Sequence, residues 1–546
     1  MTSDLDRKYD ETLADATGPG GRIVIDRDSE GRAIVGNFPA TLPDFFRSFC
    51  ALNAETEALV SGEERLSFAD LDRISEKLAR ALAARIRKGD RVGIAMRNCP
   101  AWIVAYMAIL KAGGVATLLN GWWQAHEMAH ALELTKPTLV LADAARAGRL
   151  RFPQVVTLDI DRPIEAAIAP LLDGADADLP EIGPDDLATI LFTSGSTGDS
   201  KGALSTHRAV TTATYAYATG LIVLLGILTK EGRAPTAQSR TLLSVPLFHV
   251  TGEVPVMINS FVIGRCMVIM PKWDATEALR LIEKEKITYF VGVPTMSLEL
   301  MNHPDRSKYD LSSLTDITAG GAPRPVSHVE RLRSEFPNAQ PALGYGLTEP
   351  NDAGCANYWG NYAAKPASTG RPQRPYIELA ILGADDRHLP SGEIGEIAIR
   401  SASNIKCYWR NPEATAALFT ADGYARTGDV GYLDEDGYLF IVDRKKEIII
   451  RGGENIAAAE VEAECYACPD VAEVAVFGVP DERLGEVPIA VIHGKNGLSE
   501  EGLRAFLEPR IARFKIPARF IFSPEPLPKL GTGKIDRPRL KAQYAH

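Results

Sequence analysis

Leu191-Phe-Thr-Ser-Gly-Ser-Thr-Gly-Asp-Ser-Lys-Gly202 is the stretch around which the chain is organised. The apolar run from Leu187 to Phe192 predicts a buried strand. It stops at Thr193, and the hydroxyls of Thr193, Ser194, Ser196 and Thr197 are interleaved with Gly195 and Gly198 before Lys201. Glycines allow positive φ and close backbone approach. Successive N–H groups in such a turn can form an anion-binding concavity, and lysine adds a compact positive charge. The composition suits a phosphate. Read alone, a Gly/Ser-rich segment is better taken as a flexible surface turn. It is not a Walker A loop, which needs Gly, four residues, then Gly-Lys-Ser/Thr; here Gly202 and Ala203 follow Lys201.

Upstream, Ser67 and Asp70 have capping-box spacing, and Leu71, Ile74, Leu78 and Leu82 fall at helical intervals. Arg91 to Ala95 reads as a strand, Pro100 to Ala112 as a helix and Val115 to Leu119 as another strand. Such β-α-β alternation predicts a parallel sheet clothed by helices. Trp122 and Trp123 read as packing residues, or as the cap of an apolar pocket. Residues 1–38, polar and Gly-rich, read as a loosely attached lead-in.

Downstream, strands are expected at Thr241–Val245, Thr288–Pro294 and from Ile317, with alternation continuing to residue 345. Residues 370–440 turn to short alternating strands, a small β subdomain. The charged Asp443-Arg-Lys-Lys-Glu447 between apolar strands reads as a linker. The expected architecture is α/β: a large domain over 39–442 with two βαβ-type subdomains and the small β subdomain, a hinge at 443–447, and a small mobile α+β domain over 448–546.

At 546 residues the chain exceeds one ordinary core. Its net charge of -11 argues against non-specific nucleic-acid binding, which rests on clustered Lys and Arg. The longest apolar run, Gly220 to Leu228, is too short to span a bilayer. The N-terminus lacks a secretory apolar core, so cytoplasm is expected; a homodimer is allowed. Seven scattered cysteines suit reduced thiols. Cys465 and Cys468, without a second metal-spaced pair, read as neighbours on one helix.

The order Thr-Ser-Gly-Ser-Thr-Gly-x-x-Lys-Gly resembles the signature loop of the adenylate-forming superfamily, which includes acyl-CoA synthetases, peptide-synthetase adenylation domains and luciferases. Ser200 stands where that family usually has Pro. Four further segments resemble the family's motifs in order: Gly344-Tyr-Gly-Leu-Thr-Glu349, Arg426-Thr-Gly-Asp-Val-Gly431, Asp443 to Glu447, and Leu527-Pro-Lys-Leu-Gly-Thr-Gly-Lys-Ile-Asp536. Taken singly, Asp429 could be a turn residue, Lys534 a solvated lysine and His249 a hydrogen-bonded packing residue.

The resemblance, closest to the acyl-CoA synthetase or fatty acid–CoA ligase branch, implies ATP, Mg2+ and coenzyme A as reactants with a small carboxylic acid. The loop Thr193, Ser194, Gly195, Ser196, Thr197, Gly198 and Lys201 would hold the β- and γ-phosphates, and Gly321, Ala322 and Pro323 the adenine. Gly344, Tyr345 and Gly346 would line the nucleotide. Thr348 would hold the α-phosphate and Glu349 the magnesium, an ion commonly bound by one or two carboxylates plus substrate phosphates. Asp429 and Arg444 would fix the ribose, and Lys534 would bridge carboxylate and α-phosphate. Lys446 is the implied hinge, and Gly452, Gly453 and Glu454 the loop facing the site in the CoA half-reaction. His249, Thr251, Gly252, Tyr215, Gly292 and Val293 would shape the acyl channel.

Apolar composition around that channel suggests a medium or long aliphatic, or an aryl-alkyl, acid. Glu253 reads as solvated, or as a polar element of the channel, and no Asp is expected at the strand ends to meet an amino group. The alternatives are a fatty acyl-AMP ligase serving a separate carrier, a luciferase-like oxygenase, or a non-catalytic nucleotide sensor.

Overall fold

The computed structural model describes residues 3–174, 176–193, 200–322, 324–451, 454–495, 497–530 and 533–544. Ser3 and Asp6 form a capping box that starts helix α1 (Asp4–Thr17). The helix is firmly docked, which corrects the expectation of a loose lead-in. Buried Asp6 accepts from Arg371 Nη1 at 3.0 Å, Asn361 Nδ2 at 3.0 Å and the Tyr438 hydroxyl at 2.9 Å. Asp10 pairs with Arg371 and Arg374. Leu13 packs on Val223 and Ile227. Polarity misled the sequence reading because the partners of these acids lie some 360 residues away.

Ser67 and Asp70 make the expected capping box on the helix Phe68–Ala83. It packs against Pro100–Lys111, a helix buried on every side, as an apolar circumference requires. These helices cover a seven-stranded sheet. Its order is Cys407–Tyr408, β2 (Gly202–Thr206), β1 (Leu187–Phe192), Val115–Leu118, Arg91–Ala95, Leu139–Asp143 and Val155–Leu158. β1 runs parallel to Val115–Leu118 and antiparallel to β2, with Gly202 opposite Phe192. The signature loop therefore closes a hairpin, whereas a Walker A loop opens a helix.

Thr206 then caps α2 (His207–Lys230), which contains the apolar run from Gly220. At 24 residues α2 is long and apolar enough, by length and composition alone, to cross a membrane, and 72% of its apolar window is buried inside the protein. The sequence reading missed this length because it counted only the uninterrupted run; the same test is passed by a buried core helix.

A second, nine-stranded sheet contains the parallel neighbours β3 (Arg240–Leu243), β4 (Tyr289–Gly292), β5 (Asp316–Ala319) and β6 (Gln340–Tyr345). All four end at one edge of the sheet, the usual ligand side of an open α/β sheet. A four-stranded antiparallel sheet follows, ending in β7 (Ala425–Leu433) and β8 (Leu439–Arg444). β9 (Ile449–Arg451) belongs to a separate five-stranded sheet with its own core of Val461, Val474, Ile492, Leu503 and Leu507. Cys465 lies on the helix Ala458–Tyr466, but Cys468 lies beyond its end, so the two are not neighbours on one helix. Pro469 explains this, since the residue before proline is driven out of the helical region.

Candidate active site

The corner expected to meet the ribose is built within the large lobe. Asp429 on β7 lies opposite Arg444 on β8. Arg444 Nε sits 3.1 Å from Asp429 Oδ1, and the hydroxyl of Tyr345, the last residue of β6, donates to Oδ2 at 2.7 Å. Burial pushes the Asp429 carboxyl above its ordinary value, and the charge of Arg444 and the Tyr345 bond pull it back. Two residues from two other strands thus hold this carboxylate in a fixed orientation. Gly344 and Gly346 flank Tyr345, and a Cβ at Gly346 would strike the Asp352 carbonyl.

On the phosphate side, the Thr193 N–H donates to the Lys201 carbonyl at 3.0 Å and closes the base of the signature loop. Ser194, Gly195, Ser196, Thr197 and Gly198 lie outside the described residues, as does Pro323. Lys201 Nζ stands 4.8 Å from the centroid of the Tyr408 ring, whose hydroxyl donates to Glu349 Oε1 at 2.5 Å. Tyr408 therefore couples the loop lysine to the predicted magnesium ligand. Sequence reasoning missed it because it joins the site through the pairing of Ala203 with Tyr408, for which no local pattern exists. Thr348 lies in the turn after β6, where its carbonyl accepts from the Asn351 N–H.

Glu349 fits a magnesium ion held chiefly by substrate phosphates: it is one carboxylate, its Oε1 is oriented by Tyr408, and no other side-chain bond engages it among the described residues.

Lys534 comes from the small lobe. A Cβ at Gly321, which has φ +74°, would lie 3.1 Å from Lys534 Cε and 3.3 Å from Nζ. The bare backbone there lets the lysine lie flat on the turn after β5, beside Ala322. Burial and the Arg444 charge push its ammonium down to about 8, while Asp352 and Asp429 hold it up. Lys529 Nζ reaches Glu299 of the large lobe at 2.9 Å and Glu473 of its own lobe at 3.0 Å, and the large-lobe Thr295 hydroxyl lies 3.4 Å from the Gly533 carbonyl.

On the acyl side, β3 leads to half-buried His249, whose imidazole is pushed down to about 3 by burial and the Lys534 charge and is therefore neutral. Gly252 is required by the turn, since a Cβ there would lie 2.1 Å from the Pro246 carbonyl oxygen. The expected helix after it begins as a π-helical segment, Gly252–Ile258. Gly292 ends β4 against Met296, and buried Val293 touches the Gly533 turn. Trp122 meets Phe248 edge-on at 4.8 Å, in keeping with its packing role.

Three expectations need correction. Tyr215 does not join this group; its hydroxyl donates to the Pro39 carbonyl at 2.7 Å and its ring packs beside Phe38 and Phe45. Tyr217, two residues on and hence on the opposite helix face, takes its place by donating to the Asp352 carbonyl at 2.6 Å. Glu253 is fully buried rather than solvated, with Oε1 accepting from the Tyr106 hydroxyl at 2.6 Å, and burial pushes its carboxyl up to about 8. A carboxylate does stand beyond a strand end: Asp352 was overlooked because it follows the last motif residue without a motif of its own.

Two predicted positions lie apart from this cluster. Lys446 occupies the turn between β8 and β9, and Glu454 is exposed on the small-lobe strand Glu454–Ile456; Gly452 and Gly453 lie outside the described residues.

The AMP-binding enzyme family model matches residues 46–409, and its C-terminal domain model matches residues 460–534. The chain belongs to the AMP-binding enzyme family of adenylate-forming proteins. It is 35% identical over 518 residues to a long-chain-fatty-acid–CoA ligase of Bacillus subtilis, covering 87% of this chain and 90% of the relative. It is 34% identical over 504 residues to a feruloyl-CoA synthase of Amycolatopsis, covering 90% and 97%. ATP-bound MatB from Rhodopseudomonas palustris superposes with a TM-score of 0.80 at 28% identity, covering 92% of this chain and 99% of that one. The apo form of the same protein gives 0.71, at 28% identity and coverage of 93% and 99%.

Proposed function

We propose that this chain is an AMP-forming acyl-CoA synthetase, an acid–thiol ligase that uses ATP with Mg2+ to activate a carboxylic acid and transfers the acyl group to coenzyme A. The observation that carries the reading is Lys534 lying on Gly321, between the Asp429–Arg444 corner and neutral His249. Names of the relatives support the reaction class. The better superposition on an ATP-bound relative than on its apo form supports an adenylation-ready arrangement of the lobes.

In the first step a carboxylate oxygen bonds to the α-phosphorus, the bond to the bridging oxygen breaks, and pyrophosphate leaves. Both reactants are anions, so preorganised positive charge is the main requirement. Lys534 meets the carboxylate and α-phosphate oxygens as charge builds, with Thr348 donating to the α-phosphate. Asp429 accepts from the ribose hydroxyls while Arg444 holds it, and Tyr345 offers its ring to the adenine. Lys201 and the signature loop steady the leaving pyrophosphate. Magnesium bound at Glu349 would neutralise phosphate charge. In the second step the thiol sulfur attacks the acyl carbonyl, its proton is lost, and AMP departs. Lys446 is the hinge about which the small lobe turns to bring Glu454 and its loop to the site.

The acid is proposed to be a medium or long aliphatic, or aryl-alkyl, carboxylate. A cytoplasmic setting is supported by seven free cysteines. ATP–pyrophosphate exchange over a panel of acids, followed by thioester formation with CoA and with a carrier protein side by side, tests the reading. Acid-dependent exchange with transfer to CoA is expected; transfer to the carrier alone would favour the acyl-AMP ligase, and no exchange would refute adenylation. Lys446→Pro, which fixes φ, should slow one half-reaction selectively; unaltered rates in both would remove the hinge.

A further inference from the structure

Asp352 is only 8% exposed, and its carboxylate makes no ion pair among the described residues. The groups nearest its oxygens are distant for hydrogen bonds. The Tyr217 hydroxyl is 3.4 Å from Oδ2 and gives its short bond instead to the Asp352 main-chain carbonyl, at 2.6 Å. Thr251 Oγ1 is 3.5 Å from Oδ1. Such lengths mark weak contacts, whereas buried carboxylates are normally paired or firmly hydrogen-bonded. Lys534 acts on this carboxylate electrostatically but is committed to the reacting oxygens.

The backbone adds a second, independent observation. Asn351 and Asp352 have φ of +53° and +67°, two successive left-handed residues without a glycine. Surrounding bonds hold this conformation: the Asp352 N–H donates to the Leu347 carbonyl at 2.7 Å, and buried Asn351 Nδ2 donates to Ser403 O at 2.7 Å and Ser205 Oγ at 3.0 Å. Strain maintained in this way is found at ligand sites. Here it turns a carboxylate toward Thr251, two residues beyond His249, on the acyl side of the reacting lysine.

An under-satisfied acceptor in that place calls for a donor, and the molecule that enters there under the synthetase reading is the acid. We propose that Asp352 is a specificity residue that accepts a hydrogen bond from an O–H or N–H group carried by the acid close to its carboxyl end. The inference rests on the synthetase reading and narrows it: the preferred substrates are hydroxy- or amino-substituted acids rather than plain aliphatic ones.

The test uses the full-length enzyme and acids of one chain length: unsubstituted, 2-hydroxy, 3-hydroxy and 2-amino. Acid-dependent pyrophosphate exchange gives kcat/KM for each. A donor-bearing acid should exceed the unsubstituted one by ~10–100-fold, the range of a hydrogen bond to a charged group; hydroxy and amino arms identify the donor. Asp352→Gly and Asp352→Asn both suit a left-handed backbone, so the fold is retained. Asp352→Gly should abolish the preference and Asp352→Asn reduce it ~10-fold, with the loss carried by the KM of the acid. A wild type that favours the unsubstituted acid, or a glycine variant that slows every acid equally, overturns the proposal while leaving the synthetase intact. Absence of exchange with any acid overturns the synthetase reading itself.

Discussion

The two sides of the site are held in different ways. The ribose corner is internal to one lobe: Asp429 is fixed by a cross-strand arginine and by the hydroxyl of Tyr345, all anchored in sheets. Lys534 arrives from another lobe, held against the large one by the Lys529–Glu299 ion pair, a long bond from Thr295 and the Gly533 turn. Under the proposed function, a nucleotide would be bound by a frame within one lobe while the charge that activates it would be supplied from the other, so binding and chemistry would be separable.

Removing the charge that Lys534 supplies has the largest expected effect. Lys534→Ala should slow adenylation by at least ~10²–10³-fold, the loss seen when a charge-stabilising donor is deleted. Conversion of a supplied acyl-adenylate to thioester should persist, and half-reaction assays check both; equal damage to both steps would erase the distinction. Asp429→Ala removes charge-assisted bonds worth about 1.5–3 kcal/mol each. It should raise KM for ATP by ~10–100-fold and, unlike the lysine variant, weaken AMP retention too, measurable by calorimetry.

Protonation sharpens the contrast further. Burial and the Arg444 charge push the Lys534 ammonium down to about 8 in the empty enzyme, and in the proposed role it must keep its proton. Hence kcat/KM for ATP, which reports groups of the free enzyme, should fall roughly tenfold per pH unit above that point. Nucleotide binding brings phosphate charge to the ammonium and should keep kcat level to higher pH. The smallest effect is expected at the lobe contact. Glu299→Gln takes from Lys529 its partner on the large lobe, leaving only Glu473 of its own lobe. Exposed pairs are worth about 0–1 kcal/mol, so adenylation should slow by no more than ~5-fold with the KM for ATP nearly constant.

Much of the fold was legible because its determinants are local. Capping at Ser67, the apolar helix from Pro100 and the strand ending at Phe192 carry their own signals. The change from the large-lobe sheets to the small-lobe sheet falls where charge interrupts apolar runs, between Arg444 and Ile449. What escaped was non-local. Tyr408 enters the site through pairing with Ala203 across the edge of a sheet. The exchange of Tyr215 for Tyr217 depended on which side of α2 faces Asp352, and α2 is buried on both sides. Glu253 reads as solvated because charged residues usually are, yet Tyr106 receives it in the core.

The docking of α1 has a practical consequence for anyone shortening this protein. A version starting at residue 39, which the composition of the first segment invites, would leave Arg371 and Arg374 without their acids and uncover the Val223 and Ile227 strip of α2. Stranded guanidinium groups beside a bare oily stripe favour clumping, so the first seventeen residues belong inside any trimmed form meant to stay in solution.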